Sequence, residues 1–350
     1  MGLWERLRGS KRREIAVPRH RVDLVPNELA MQVVEHDLPI ELGTLACWTF
    51  QSDGLTARGQ KDLVLTFARR KGERIDPLAT EVVHFLQMIW GLAAETRTVD
   101  IGGFTEFGER RFLGKDGARG LAYLRSQALA GVAAPWENLA VIPLFADEVD
   151  AVKAFGITRV AARLGEHYRF YPWPPWWDRD RPVLGAAAGD DTSVLGKVPH
   201  VTVPGFFASI ECPGGKFGSG LTIRILHASG GIVAKALASV PPRVPFAIVP
   251  EPDPGADALM VWRAGDVGPG AISPPGSTGQ RLSVCFVIII PEQSEDSLRA
   301  SEDGVSLLLR NTSWHRLREV LIGGQPLTLS MSDGGAISVE RVPTVYASRS

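Results

Sequence analysis

The chain has 350 residues, 45% of them hydrophobic and 22% charged, and a formal net charge of -1. That composition excludes disordered, collagen-like and membrane-spanning classes, and the length points to two packed subdomains. Near-balanced charge also argues against nucleic acid as a partner, because neutralising phosphates takes a basic face.

Residues 1–40 read as a basic N-terminal segment. "MGLWERLRGSKRREI" lacks the apolar stretch of a secretory signal, and Arg6 stands where a myristoylation motif wants Ser or Thr. Leu3, Trp4 and Leu7 beside Arg8, Lys11, Arg12 and Arg13 are the one place where membrane contact is conceivable. A solvated tail is the simpler reading.

A first α+β subdomain is expected over 41–185. "LACWTF" (45–50) and "DLVLTFARR" (62–70) are strand-like, with a glycine-bearing turn between them. "PLATEVVHFLQMIWGLAAE" (77–95) starts with proline and repeats Val82, Val83, Leu86, Ile89, Trp90 and Ala93 at helical spacing. Val83, Leu86 and Trp90 are therefore expected inside. "GLAYLRSQ" (120–127) reads as a strand, and 139–165 as a buried run continuing into helix.

"GAAAGDDTSVLGKVPH" is small, polar and glycine-containing, which places a linker or seam at 186–200. A second α+β subdomain is expected over 201–345. It opens with a strand, a glycine loop and a strand at 206–226, followed by a helix at 231–239. The stretch 240–258 is too rich in proline for a central strand over much of its length. "LSVCFVIII" (282–290) reads as one buried strand, and the end as strand, helix, strand, strand, with Ser313 as an N-cap. Strand, glycine loop, strand and helix recur early in both halves, as a duplicated unit would give. Segregated rather than strictly alternating elements favour an α+β fold of two mixed subdomains.

Templates for chemistry do not fit. Cys47, Cys212 and Cys285 are far apart beside apolar residues, which fits core thiols in a reducing compartment rather than disulfides or zinc. The seven histidines show no metal-ligand spacing, and there is no G-x-S-x-G. "PGGKFGSG" (213–220) has Phe217 where a phosphate loop needs Ser or Thr. Glu166 and His167 are adjacent, and on a strand they would face opposite ways. No cofactor is expected.

"HYRFYPWPPWWDRDRP" (167–182) concentrates three tryptophans among four prolines, a backbone biased towards polyproline-like extension. We read the run chiefly as a brace between subdomains, in which at least one ring anchors to the core. Trp173, Trp176, Trp177, Arg179 and Arg181 are its candidate binding residues, provided the outer rings are exposed.

Within and around that run stand Arg163, Leu164, Gly165, Tyr168, Arg169, Tyr171, Pro172 and Pro174, then Arg179, Arg181 and Pro182. Further matches are Asp53, Gly54, Leu55, Gly59, Gln60, Arg69 and Arg70, the stretch "RRFLG" at 110–114, and Glu302, Asp303, Gly304, Leu317 and Arg318. With these residues the chain resembles the C-terminal domain of the Smad anchor for receptor activation and endofin family, from about Trp48 to near its end. The resemblance implies a non-catalytic protein-binding domain of scaffold type, with no catalytic residue to carry over. The paired cysteines of that family's zinc-binding FYVE finger are missing, so endosomal placement and Smad binding do not transfer.

The resulting expectation is a cytoplasmic, cofactor-free scaffold domain with a protein partner. Two alternatives stand beside it. One is an immunity or inhibitor protein; the other is a hydrolase assembled from distant residues such as Cys212, His200 and Asp190.

Overall fold

The structure, a computed structural model, describes residues 19–343 except 42, 110, 115–116, 128, 130–131, 133–134, 185–192, 213–217, 219, 242, 263–265, 273–276, 324 and 333. The basic residues of 1–18, Asp190 and most of the 213–220 loop lie outside the described residues. The chain divides into two compact units. The described parts of Met1–Asp150 and Pro174–Gly185 form the first, and those of Ala151–Trp173 and Ala186–Ser350 the second. Both are built from mixed sheets with helices, so the fold is α+β.

The first unit holds β1 (Arg19–Val25), β2 (Leu29–Ile40), β3 (Gly43–Asp53), β4 (Leu63–Ala68), β5 (Phe104–Glu106), β6 (Gly120–Arg125) and β7 (Leu139–Leu144). They form a seven-stranded sheet in the order β1-β2-β3-β4-β7-β6-β5. The first four strands are an antiparallel meander, and β7 then joins β4 in parallel at Leu63–Val64. Every second residue faces one core: Leu29, Met31 and Val33 on β2, Trp48 and Phe50 on β3, Leu63, Leu65 and Phe67 on β4. Helix α1 (Asp76–Ala94) closes that core with Leu78, Val82, Phe85, Leu86 and Ile89.

The expected helix is there, but its buried stripe is rotated. Leu86 is fully buried, whereas Val83 and Trp90 are half-buried at its margin and Phe85 takes an inner place. The Arg58 guanidinium lies over the Trp90 ring at 3.8 Å, which suits a margin position. Residues 19–40 are also not a separate basic segment. They supply β1 and β2, whose register with β3 runs from Ala30↔Asp53 to Ile40↔Gly43.

Helix α2 (Ala146–Phe155) spans the residue at which the chain passes from one unit to the other, and α3 (Ile157–Tyr168) belongs to the second unit. That unit thus begins well before the expected seam at 186–200, and 174–185 return to the first. Glu166 and His167 lie on α3 rather than on a strand, so the opposite-face argument for separating them does not hold.

The second unit carries β8 (His200–Glu211), β9 (Gly220–Leu226), helix α4 (Gly230–Ala238), β10 (Phe246–Glu251), β11 (Ala258–Val261), β12 (Gly270–Ile272), β13 (Arg281–Ser283) and β14 (Val287–Ile290). After them come β15 (Ser297–Ser301), β16 (Gly304–Leu308), helix α5 (Asn311–Ile322), β17 (Leu327–Ser330) and β18 (Ala336–Val342). Eleven strands form its sheet among the described residues. β8 changes partners along its length: β10 runs parallel to its first residues, while β9 and β13 pair antiparallel with its second half. Gly205 sits at the change with φ +72°, where a Cβ would strike the Ser229 hydroxyl.

Three local expectations are corrected here. β10 is a central strand between β8 and β14 despite Pro250, which falls where its register shifts between Val249 and Glu251. The run 282–290 is two strands, because β13 pairs with β8 while β14 pairs with β10 and β16. Ser313 is inside α5, and its hydroxyl donates to Asp296 Oδ2 at 2.6 Å. Asp296 Oδ1 also accepts from the Arg310 amide at 2.7 Å, so a distant carboxylate serves the start of this helix. Among the described residues no helix is long and apolar enough to cross a membrane.

Candidate functional site

The tryptophans of the aromatic run do not present their rings to solvent. Trp173, Trp176 and Trp177 are 3%, 6% and 3% exposed. In the first unit, Trp177 stacks on Phe112 with centroids 6.4 Å apart and meets Phe67 and Phe145. Its backbone completes the edge of β4. β7 pairs with that strand only at Leu63–Val64, and beyond it Trp177 N donates to Thr66 O at 2.8 Å. Ala68 N then donates to Trp177 O at 3.0 Å. An extended, proline-stiffened segment is the form of backbone that can take this place.

The two arginines are committed as well. Arg179 Nη2 donates to Glu73 Oε2 at 2.6 Å and to Ala68 O at 3.0 Å. Arg181 Nη2 donates to Glu148 Oε2 at 2.7 Å and to Pro143 O at 3.2 Å, with Glu148 fully buried. Trp173, Trp176, Trp177, Arg179 and Arg181 therefore do not form the exposed aromatic-basic patch that a binding role required. Sequence reasoning could not see the open edge of β4 that draws the segment in.

Some of the residues that carried the family resemblance, Arg163, Glu302 and Asp303, meet in the second unit in a buried ion network with Arg159. On α3, Arg159 Nε and Arg163 Nη2 both donate to Asp303 Oδ2, at 2.9 and 2.8 Å. Asp303 is fully buried, and its Oδ1 accepts from the Trp262 amide at 2.8 Å. Gly304 follows, and a Cβ there would meet Phe286 O at 2.5 Å. Gly165 is equally confined, by Phe170 O at 2.6 Å. Tyr171, joined to Pro172 by a cis peptide bond, donates its hydroxyl to Asp253 O at 2.6 Å. Asp253 also accepts from Arg224 and Ser209. These side chains hold elements together, and buried charges keep their place only when paired and hydrogen-bonded in this way.

A pocket adjoins the network. It has a volume of about 560 Å³ and is lined by the end of α2 (Lys153, Ala154, Phe155) and by Ser193, Gly196, Lys197, Val198, Pro199 and His200. Its rim is fixed from below. Arg159 Nη1 donates to Ser193 Oγ at 2.7 Å, Ser193 Oγ to Glu302 Oε2 at 2.9 Å, and Val194 N to Glu302 Oε1 at 2.6 Å. Leu195 is fully buried, and Gly196 lies so close that a Cβ would sit 3.2 Å from the Phe155 ring. The other wall is held by β10, whose Ala247 N donates to Pro199 O at 2.8 Å. Among the described residues the lining comprises two lysines, a histidine, a serine and apolar surface. Lys153 and Lys197 stand far apart in sequence with no local motif, which is why neither drew notice there.

Groups suited to covalent chemistry are arranged differently. All three thiols are buried. Burial first, then the Asp37 charge, pushes Cys47 up to about 12, and burial with Asp303 does the same to Cys285. Burial also raises Cys212. Such thiols are poor nucleophiles, since the thiolate is the reactive form. His200 opens β8 and Cys212 follows its last residue, so the remaining eleven residues of the strand separate them. In the first unit a buried chain runs from His36 Nε2 to Thr49 and on to Thr66, each step 2.7 Å. Among the described residues no group of three or more His, Cys, Asp or Glu side chains could hold a metal ion. No protein-family model matches the chain, and no curated protein does.

Proposed function

We propose that this chain is a non-catalytic binding domain of scaffold type, with a protein as its partner. The observation that carries the reading is the basic, apolar-walled pocket on a rim fixed by the Arg159–Ser193–Glu302 bonds. It is a concave surface whose rim is already held by hydrogen bonds, as preformed binding sites are. The separation of Cys212 from His200 along β8, and the raised thiols, weigh against the hydrolase alternative. The resemblance to the Smad anchor and endofin domain supports a protein partner.

Affinity capture with the tagged full chain from its native cells, quantified against the same chain thermally unfolded, tests this reading. One partner enriched saturably by the folded chain, and reproduced with the purified pair, is the expected result. Turnover of an ester, peptide or phosphate substrate that disappears in Cys212→Ala or His200→Ala would overturn it.

A further inference from the structure

We propose that the chain pairs with a second copy of itself through β1, antiparallel and centred on Val22. In that register Arg21 of each copy faces Asp23 of the other, and the two Val22 residues meet on the two-fold axis. The sheet of the first unit then continues from one copy into the next. The inference stands apart from the partner reading above and does not depend on it.

Among the described residues β1 ends the seven-stranded sheet, in regular register with β2 from Arg19↔Val34 to Asp23↔Ala30. His20, Arg21, Val22 and Asp23 are all exposed. A strand bonded along one side turns the N–H and C=O groups of alternate residues outward, a template for another strand. Edges are ordinarily protected by proline or by charges that repel a copy. β1 contains no proline, and Arg21 and Asp23 carry opposite signs on either side of Val22.

That order of residues selects the occupant. Arg21 and Asp23 share one face of the strand, so pairing about Val22 forms an ion pair on each side of the axis. Moving the centre by one residue would set Arg21 against Arg21, or Asp23 against Asp23, and like charges directly opposite destabilise. Arg21 is already oriented, because its Nη1 donates to Asp53 Oδ2 and its Nε lies 3.7 Å from Asp23 Oδ1. A guanidinium has five N–H donors, so it can serve a second carboxylate without leaving Asp53. The Arg21 and Asp23 side chains are 56% and 69% exposed, so their pairs choose the register more than they add affinity. Val22 lies opposite the core residue Met31 and is 44% exposed, a remnant of the core face that a second Val22 covers. The register shift between Asp23 and Val25 ends the regular strand, so the contact is short and the dimer weak.

Sedimentation velocity of the full chain from about 1 to about 500 μM reads the association. Wild type is expected to move from monomer towards twice the monomer mass over that range. Asp23→Arg and Arg21→Glu should each weaken dimerisation roughly tenfold or more, by setting like charges opposite each other. An equimolar mixture of the two variants should associate again, since each supplies the charges that the other lacks. Circular dichroism confirms that each variant is folded. Val22→Cys then reads the register: the axis sets the two thiols opposite each other, so oxidised glutathione should join the copies by a disulfide. His20→Cys puts its thiols roughly 13 Å apart along the strands and should cross-link poorly. The three native thiols are buried and do not compete. A chain that stays monomeric at the highest concentration overturns the inference. So does a dimer that neither charge variant weakens, or one that cross-links faster through position 20 than through 22. A monomeric chain whose Val22→Cys variant cross-links to a captured partner gives the edge to that partner and refutes the second copy.

Discussion

Arg163 Nη2 donates to Asp303 Oδ2 across 2.8 Å, a bond between residues 140 positions apart. Both side chains are almost wholly buried, and Arg159 shares the same carboxylate oxygen. Removing the acid would leave two guanidinium groups inside with one anchor fewer. Asp303→Asn should therefore cost about 3–5 kcal/mol, the usual penalty for breaking a buried pair from one side. Urea unfolding monitored by circular dichroism checks it; a loss under about 1 kcal/mol would mean that water reaches the arginines.

Leu86 is fully buried in the core that α1 closes, whereas Val83 of the same helix is half-buried. Leu86→Ala should cost about 2–5 kcal/mol, transfer and cavity together. Val83→Ala should cost clearly less, because much of its side chain keeps contact with water in the folded state. Equal losses in the two variants, measured by the same unfolding experiment, would contradict the rotated stripe.

The helix 77–95 and the strands at 45–50, 62–70 and 120–127 were legible because each is long and regularly patterned. β1 and β2 were not. The run 19–40 mixes His20, Arg21, Asp23, Glu35, His36 and Asp37 among its apolar residues, which masks the alternation of a sheet-edge meander. Trp177 shows the second kind of limit. Proline correctly foretold an extended backbone, but where that backbone docks depends on β7 leaving β4 after Val64, a tertiary fact. The pocket is a third case, since Lys153 and Lys197 become neighbours only once Glu302 and Arg159 have fixed the rim between them.

For Trp177 the structure reverses the order of effects expected from an exposed ring. With Phe112 stacked on it and Phe67 and Phe145 beside it, Trp177→Ala should cost about 3–5 kcal/mol. Partner affinity of the folded fraction should be unchanged, because the ring does not reach the surface. Melting curves and anisotropy on the same preparations decide this. A variant that melts like wild type but binds weakly would restore the surface reading.

The thiols give a prediction with a definite pH direction. Cys47 and Cys285 are pushed up to about 12 from an ordinary value near 9, chiefly by burial and next by Asp37 and Asp303 respectively. Below about pH 9 both folded and unfolded chains hold these protons, so the thiols leave stability independent of pH there. Above it the unfolded chain releases them first. The stability contributed by these groups is thus fully present below the unfolded value and is lost as pH rises towards about 12. Cys285→Ala should flatten the alkaline fall of the urea midpoint relative to wild type, over and above its own constant cost for the smaller side chain. In the same molecule, a disulfide reagent at about pH 8 should label these two thiols no faster than the chain opens, and rapidly in urea. Prompt labelling of Cys285 in the native protein would show that its sulfur is reached from solvent, and the argument from burial would fail with it.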